Sequence, residues 1–313
     1  MKKLSDIVKD YCYEHVLAKD TNNTYERRVR AFEQRIFYDN VAELTRTEVF
    51  GFRDCLIQEG KRHTTINNYL RHCRVIWQYG MQCGAIPNGE NIFKIPKLPE
   101  IRVKKVITEE TIQTALDELS PRNKWFWHTV ITTQASLGIR NKQLVMIDAK
   151  HVNLDKKFIY LTSEGNKLRR ENVLPLSDEL IADLRVYLNF SKVLLGRDLY
   201  PDEKLFVIAR YDHSFKQQKG NRMSCEQLQG KYHRLSRTVE KITGEKISGH
   251  RLRHTLATQI GSRPDINIRV VQEWFGWSCI QTAQNYVTVS VDQKRLLIEG
   301  LQNRLSFSNL NNE

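Results

Sequence analysis

Apolar residues recur at helical spacing through the first 90 residues, and this pattern restricts the fold more than any other feature of the chain. Two stretches show it most clearly, with stripes formed by Tyr25, Val29, Phe32 and Ile36, and by Ile66, Tyr69, Leu70, Cys73, Ile76 and Trp77. Side chains spaced three and four residues apart share one face of an α-helix, and an apolar face has to be buried against other elements. Residues 1–90 are therefore predicted to form an all-helical domain.

Arginines lie off these apolar stripes. They are Arg27, Arg28, Arg71 and Arg74. Arginines in such positions are either ordinary solvated charges or contacts to a nucleic-acid backbone, and the helical pattern is compatible with both. These four residues are candidates for DNA binding.

The segment from residue 85 to residue 106, AIPNGENIFKIPKLPEIRVKKV, interrupts the helical pattern. Its three prolines exclude a long helix, because proline lacks the backbone N–H that a helix interior requires. We predict an extended interdomain linker at residues 91–106. Lys104 and Lys105 in this linker are further candidates for DNA binding.

After the linker the pattern becomes mixed. KFIYLT and ENVLPL are typical of two strands, with SEGNKLRR as the turn between them. Most of the last third has helical periodicity again. The predicted fold class is mainly α with a small β-sheet (α+β), and residues 107–290 are its second domain.

The charge balance indicates a polyanionic partner. The 313 residues include 49 lysines and arginines against 36 acidic residues, a formal net charge of +13. Such an excess favours nucleic acid first and an anionic membrane surface second. No apolar run approaches the roughly 20 residues that span a bilayer, and the N-terminus has no apolar signal-peptide region. The six cysteines are scattered without a CxxC pair, which indicates reduced thiols in a cytoplasmic protein rather than disulfides or a metal site.

A cluster of cationic residues begins the stretch SGHRLRHTLATQI, residues 248–260. His250, Arg253 and His254 lie at positions i, i+3 and i+4, so one face of a helix carries all three. A second face is apolar, with leucines and isoleucine at helical spacing, and anchors the helix in a core. The cationic face is either solvated or part of an anion-binding site.

Further ionisable and aromatic residues complete a recognisable order. Arg140 lies at a predicted helix start, Lys167 in the predicted hairpin turn, and Trp277 and Tyr286 in the stretch VVQEWFGWSCIQTAQNYVTVS. In that stretch Ser278 and Gln281 have the spacing of a capping box, which predicts a helix with Trp277 just before its start and Tyr286 two turns into it.

This order resembles the tyrosine recombinase, or phage integrase, family over nearly the whole chain. The family signature runs arginine, hairpin lysine, HxxR, histidine or tryptophan, and tyrosine, and the matching residues are Arg140, Lys167, His250, Arg253, Trp277 and Tyr286. Trp277 stands where most members have histidine. The resemblance implies a helical, SAM-like core-binding domain at residues 1–90, a catalytic domain at 107–290 and a tail at 291–313 that is exchanged between protomers in some members.

The resemblance also implies roles for the reacting groups. Arg140 and Arg253 would bind the phosphate oxygens, because guanidinium presents a planar, permanently charged fork. Tyr286 would be the nucleophile that forms a phosphotyrosyl ester, and Lys167 would protonate the leaving 5′-oxygen.

The remaining residues have less specific roles. His250 would assist proton movement or bind phosphate, and the Trp277 indole N–H would donate to a phosphate oxygen. His254 is assigned no catalytic role and is expected to be structural. Many family members have an acidic residue at the position of Gln143, so the support that such an acid would give is open here.

The function expected on this basis is site-specific recombination of double-stranded DNA through a 3′-phosphotyrosyl intermediate. No cofactor or metal is expected, and the chain would be a monomer or dimer in solution and a homotetramer on paired duplexes. Because the chain starts almost directly at the core-binding helices, a simple-site enzyme of the Xer-like or mobile-element kind is expected. The alternatives are a type IB topoisomerase-like nicking and rejoining activity and a non-catalytic DNA-binding regulator on the same fold.

Overall fold

The computed structural model describes residues 2–100, 106–165, 171–211, 223–287 and Arg295. It is mainly helical with one three-stranded sheet, so the predicted α+β fold class is confirmed. The chain divides into two compact units, Met1–Val103 and Lys104–Glu313. Among the described residues, no helix is long and apolar enough to cross a membrane.

The described part of the first unit contains four α-helices. They are α1 (Leu4–Glu14), α2 (Lys19–Glu33), α3 (Arg46–Gln58) and α4 (His63–Gln82). Val29 and Phe32 of α2 and Ile66 and Cys73 of α4 are fully buried, so both predicted apolar stripes face the core of this unit.

The segment predicted as the start of the linker belongs to this core. Phe93 is fully buried and packs edge-on against the Phe32 ring, with the ring centroids 5.3 Å apart. Arg74 donates to the Phe93 carbonyl at 2.9 and 3.1 Å, and the Asn67 amide exchanges hydrogen bonds of 2.9 and 3.0 Å with Leu98. Residues 91–98 therefore pack against α4 in a non-helical conformation, and the interdomain linker at residues 91–106 stays a prediction.

The second unit contains eight helices in its described part. They are α5 (Glu109–Asp117), α6 (Lys124–Leu137), α7 (Asn141–Val145), α8 (Asp178–Leu195), α9 (Cys225–Thr243), α10 (Gly249–Gly261), α11 (Ile268–Trp274) and α12 (Ile280–Gln284). Helix α6 packs against both α8 and α10 and is buried over most of its surface, as its run of apolar residues requires.

The sheet is small and antiparallel. Its strands are β1 (Val152–Asn153), β2 (Phe158–Leu161) and β3 (Asn172–Pro175), in the order β1-β2-β3. The two predicted strands are confirmed as β2 and β3, which pair from Phe158 with Pro175 to Leu161 with Asn172. Strand β1 was missed, because two residues carry no periodicity. Lys167 in the predicted turn and the predicted tail at 291–313, except Arg295, lie outside the described residues.

Candidate active site

A tight turn between α6 and α7 positions Arg140. Gly138 ends α6 in the left-handed conformation with φ of 62°, and a Cβ there would lie 2.6 Å from Cε1 of Phe275. Both the dihedral angle and the close approach require glycine. Arg140 then caps α7, and its backbone N–H donates to Oε1 of the buried Gln143 at 2.9 Å. The neutral amide of Gln143, at the position where many family members have an acid, thus accepts a hydrogen bond from the Arg140 backbone.

Helix α10 holds Arg253 in the interior. The side chain is 6% exposed, and its guanidinium donates to the carbonyls of Gly138 at 2.8 Å and Phe275 at 2.7 Å. Burial, followed by the charge of nearby Arg140, lowers the pKa of Arg253 to about 9, so it remains charged at neutral pH. Two carbonyls orient this cation but do not neutralise it.

The second arginine is also partly desolvated. Burial lowers the pKa of Arg140, and its Nη1 atom is buried without a hydrogen-bond partner among the described residues. Because the charge of Arg140 lowers the pKa of Arg253, the two cations lie close enough to repel each other. An anion bound between them would relieve this repulsion and satisfy Nη1.

Aromatic rings are layered beside the arginines. The Trp277 ring stacks on the Tyr286 ring, with centroids 4.9 Å apart and an interplanar angle of 10°. The Phe275 ring also stacks on the Trp277 ring, with centroids 4.9 Å apart. The Arg253 guanidinium lies 4.9 Å from the Phe275 ring centroid. Trp277 therefore holds the tyrosine ring by its face.

The backbone at Tyr286 differs from the prediction. Helix α12 begins at Ile280 with Cys279 as its N-cap and ends at Gln284, so the proposed capping box of Ser278 and Gln281 is wrong. Tyr286 lies in the turn after this short helix rather than two turns into it. Its backbone packs on Gly261 of α10, where a Cβ would be 2.9 Å from the Tyr286 carbonyl oxygen.

Among the described residues, the Tyr286 phenol is near three cationic or titratable side chains. Burial raises the pKa of the phenol, whereas the charges of Arg253 and Arg140 oppose that rise. Nε2 of His254 lies 3.5 Å from Oη of Tyr286 and 2.8 Å from Nε2 of His250, which is exposed. The expectation that His254 is purely structural overlooked this contact, although the i, i+4 spacing had already placed it on the same face as His250.

A buried polar network joins the helix starts that carry these residues. Gln134 of α6 is fully buried, donates to Oδ1 of Asn141 at 2.9 Å and accepts from the Tyr232 hydroxyl at 2.6 Å. A Cβ on Gly249 would lie 2.3 Å from the same Asn141 oxygen, so glycine permits the approach of α10. No sequence pattern indicates this network, because Gln134 and Tyr232 are separated by 98 residues.

The ends of the hairpin and of α11 are tied to the same region. Nδ2 of Asn172 donates to the carbonyls of Glu273 at 3.1 Å and Trp274 at 3.0 Å, and the Trp274 indole donates to the Leu137 carbonyl at 3.1 Å. Strand β3 is thus fixed against α11.

The candidate DNA-binding residues of the first unit have different surroundings. Arg27 and Arg71 are exposed, while Arg28 lies 3.9 Å from the Tyr69 ring centroid. Arg74 is committed to backbone carbonyls, which gives it a structural role. Lys104 and Lys105 lie outside the described residues.

A family model described as the phage integrase family matches residues 105–293, which is more than half of the chain. The chain belongs to the phage integrase family. As the resemblance predicted, its enzyme class is that of the tyrosine-type site-specific recombinases.

Relatives of this family match most of the chain. A Pseudomonas aeruginosa protein named as tyrosine recombinase XerC is 25% identical over 309 residues, covering 93% of this chain and 70% of that protein. Tyrosine recombinase XerD from Listeria monocytogenes serotype 4b (strain F2365) is 26% identical over 309 residues, covering 92% and 95%.

Solved structures share the fold. The Tn1549 transposon integrase in complex with transposon right end DNA has a TM-score of 0.75 and 17% identity, covering 96% of this chain and 99% of that one. A lambda integrase dimer bound to a core site has a TM-score of 0.70 and 15% identity, covering 93% and 100%.

Proposed function

We propose that this integrase-family recombinase cuts and rejoins double-stranded DNA through a 3′-phosphotyrosyl intermediate formed on Tyr286. The observation that carries the proposal is the convergence of the buried Arg253 guanidinium and the partly buried Arg140 guanidinium on the phenol of Tyr286, with no acidic partner for either among the described residues. A scissile phosphate between Arg140 and Arg253 would supply the missing anion, and it would lie within reach of the tyrosine oxygen.

The chemistry follows from this arrangement. Oη of Tyr286 attacks phosphorus, the bond to the 5′-oxygen breaks, and the phosphotyrosyl ester keeps the energy of the phosphodiester for rejoining. Arg140 and Arg253 stabilise negative charge that develops on the non-bridging oxygens. Lys167 is the proposed donor of the proton that the leaving 5′-oxygen needs.

Aromatic packing and His250 complete the proposed machinery. Trp277 restrains the orientation of the Tyr286 ring through the parallel stack, and its indole N–H is a candidate donor to a phosphate oxygen. His250 is exposed beside His254 and is a candidate phosphate ligand.

The proposed partner is duplex DNA, handled by a homotetramer. A net charge of +13 supports a polyanionic partner. Support also comes from the fold neighbours, which include a lambda integrase tetramer bound to a Holliday junction. The first unit would be the core-binding domain and the second the catalytic domain. The resemblance to XerC and XerD proteins and to a transposon integrase supports a Xer-like or mobile-element recombinase.

The first test replaces the nucleophile. Tyr286→Phe should bind its DNA site like the wild type and form no covalent adduct, because only the attacking oxygen is removed. Covalent capture on a nicked suicide substrate, followed by denaturing electrophoresis, measures the adduct, and a gel shift measures binding.

Tyr200→Phe is the matched control, since this exposed tyrosine stacks on Arg197 instead. It should capture DNA like the wild type. An adduct on the Tyr286→Phe protein, or its loss in the Tyr200→Phe protein, would contradict the assignment of the nucleophile.

A further inference from the structure

His254 lies between the candidate nucleophile and the exposed His250. Its Nε2 atom is 3.5 Å from Oη of Tyr286, and its ring centroid is 5.2 Å from that of the tyrosine. The same Nε2 atom is 2.8 Å from Nε2 of the exposed His250, with the two imidazole rings nearly perpendicular. The three side chains form a continuous row from the phenol to the solvent.

The other described groups around the phenol do not suit proton acceptance. Trp277 contacts Tyr286 face to face, and an indole N–H is a donor without an acceptor lone pair. Arg140 and Arg253 remain cationic near neutral pH and have no acceptor either. A neutral imidazole has one nitrogen with an acceptor lone pair, so His254 can accept the phenolic proton, which the indole and the guanidiniums cannot.

The phenol needs such an acceptor because of its environment. Burial raises the pKa of Tyr286 above its ordinary value, despite the opposing charges of Arg253 and Arg140. At neutral pH the phenol is therefore protonated, and attack on phosphorus requires the proton to leave as the new bond forms.

We propose that His254 is a catalytic residue that takes the phenolic proton of Tyr286 during cleavage and returns it during rejoining. The inference rests on the proposed role of Tyr286 as nucleophile. In cleavage, the proton moves from Oη to Nε2 of His254, the Oη–P bond forms, and the P–O5′ bond breaks. The leaving oxygen takes a proton from the leaving-group acid, proposed to be Lys167, so the protons balance.

The contact between the two histidines sets the order of events. With Nε2 of His254 unprotonated, His250 donates to it at 2.8 Å, and that donation competes with the tyrosine. His250 is exposed and can turn towards a bound phosphate, which frees the lone pair of His254 for the phenol. Among the described residues, the ionisable groups in contact with His254 are His250 and Tyr286, and the charges of Arg253 and Arg140 act on the Tyr286 phenol.

The test separates the nucleophile side of the reaction from the leaving-group side. His254→Ala and His254→Gln are assayed in single turnover on suicide substrates with either an ordinary phosphodiester or a 5′-bridging phosphorothiolate at the scissile position. A thiolate leaves without protonation. Loss of a general base should slow both variants by about 10²–10⁴-fold on both substrates. Lys167→Ala should be slow only on the oxygen substrate, and His233→Ala, an exposed histidine on α9, should match the wild type.

Two further measurements distinguish base catalysis from a structural role. Cleavage by His254→Ala should keep rising with pH through the alkaline range, because the phenolate must then form unaided, and added imidazole should partly restore the rate. Glutamine keeps similar length and an N–H donor but accepts no proton, so His254→Gln should bind DNA normally and remain slow.

Three outcomes would overturn the proposal: wild-type rates in both variants, recovery of both on the phosphorothiolate, or loss of specific DNA binding by both. If the wild type itself forms no adduct through Tyr286, the proposed function fails, and that result is separate from the His254 comparison.

Discussion

Among single side chains, Arg253 is a buried cation whose orientation is fixed by its surroundings. It lies in the interior with two carbonyls as partners, an arrangement that orients the guanidinium without cancelling its charge. Lysine would keep the charge but lose the planar fork that binds the two carbonyls and that, in the proposed mechanism, also binds the phosphate. Arg253→Lys should therefore lower the single-turnover cleavage rate by about 10²–10³, the usual cost of a missing donor to the transition state.

Arg251→Lys is the matched control, because it lies on the same helix and only partly faces solvent. Its cleavage rate should stay near that of the wild type. If Arg253→Lys also cleaves within a few-fold of wild type, Arg253 does not contact the phosphate.

Among the helices and turns, the junction of α6 with α7 depends on Gly138. Alanine there would adopt a left-handed backbone and would place its Cβ 2.6 Å from Phe275 and 3.1 Å from Leu256. Gly196, which ends α8 with φ of 70°, has the same backbone conformation with no atom within 4 Å of a Cβ. Both substitutions force alanine into a left-handed backbone conformation at a similar cost in free energy. The difference between their losses of stability therefore measures the overpacking at Gly138 alone.

Gly138→Ala should thus destabilise the protein by about 1–3 kcal/mol more than Gly196→Ala, the usual cost of overpacking. Urea unfolding of the full chain measures both variants. The cleavage rate of Gly138→Ala should also fall, because the Gly138 carbonyl accepts a hydrogen bond from Arg253 and Gly138 precedes Arg140 by two residues. Equal stability losses in the two variants would show that the turn tolerates a side chain.

For the whole molecule, the net charge of +13 determines how DNA binding should depend on salt concentration. Each phosphate neutralised on binding releases a counterion, so the logarithm of the DNA association constant should fall steeply and linearly with the logarithm of salt concentration. Titrations with Tyr286→Phe between about 50 and 200 mM salt measure this slope without covalent trapping. A flat dependence would contradict an extensive contact with the phosphate backbone.

The sequence alone determined the properties that depend on neighbouring residues. Helical periodicity predicted the stripes of Val29 and Phe32 and of Ile66 and Cys73, and alternating apolar residues predicted strands β2 and β3. The order of Arg140, Arg253 and Tyr286 indicated the family, because a signature spaced along the chain can be read without the fold. These features rest on local side-chain spacing, which secondary structure preserves.

Only the tertiary structure decided what meets across long separations. Arg253 donates a hydrogen bond to Gly138, which is 115 residues away in the sequence. Tyr232 donates one to Gln134 across 98 residues, and His254 contacts Tyr286 across 32 residues. It also showed that residues 91–98 pack on α4 and that Tyr286 follows α12 rather than lying within it. No periodicity encodes these contacts, since each depends on how several helices pack together, and that packing is selected by the total burial of apolar surface rather than by any one segment.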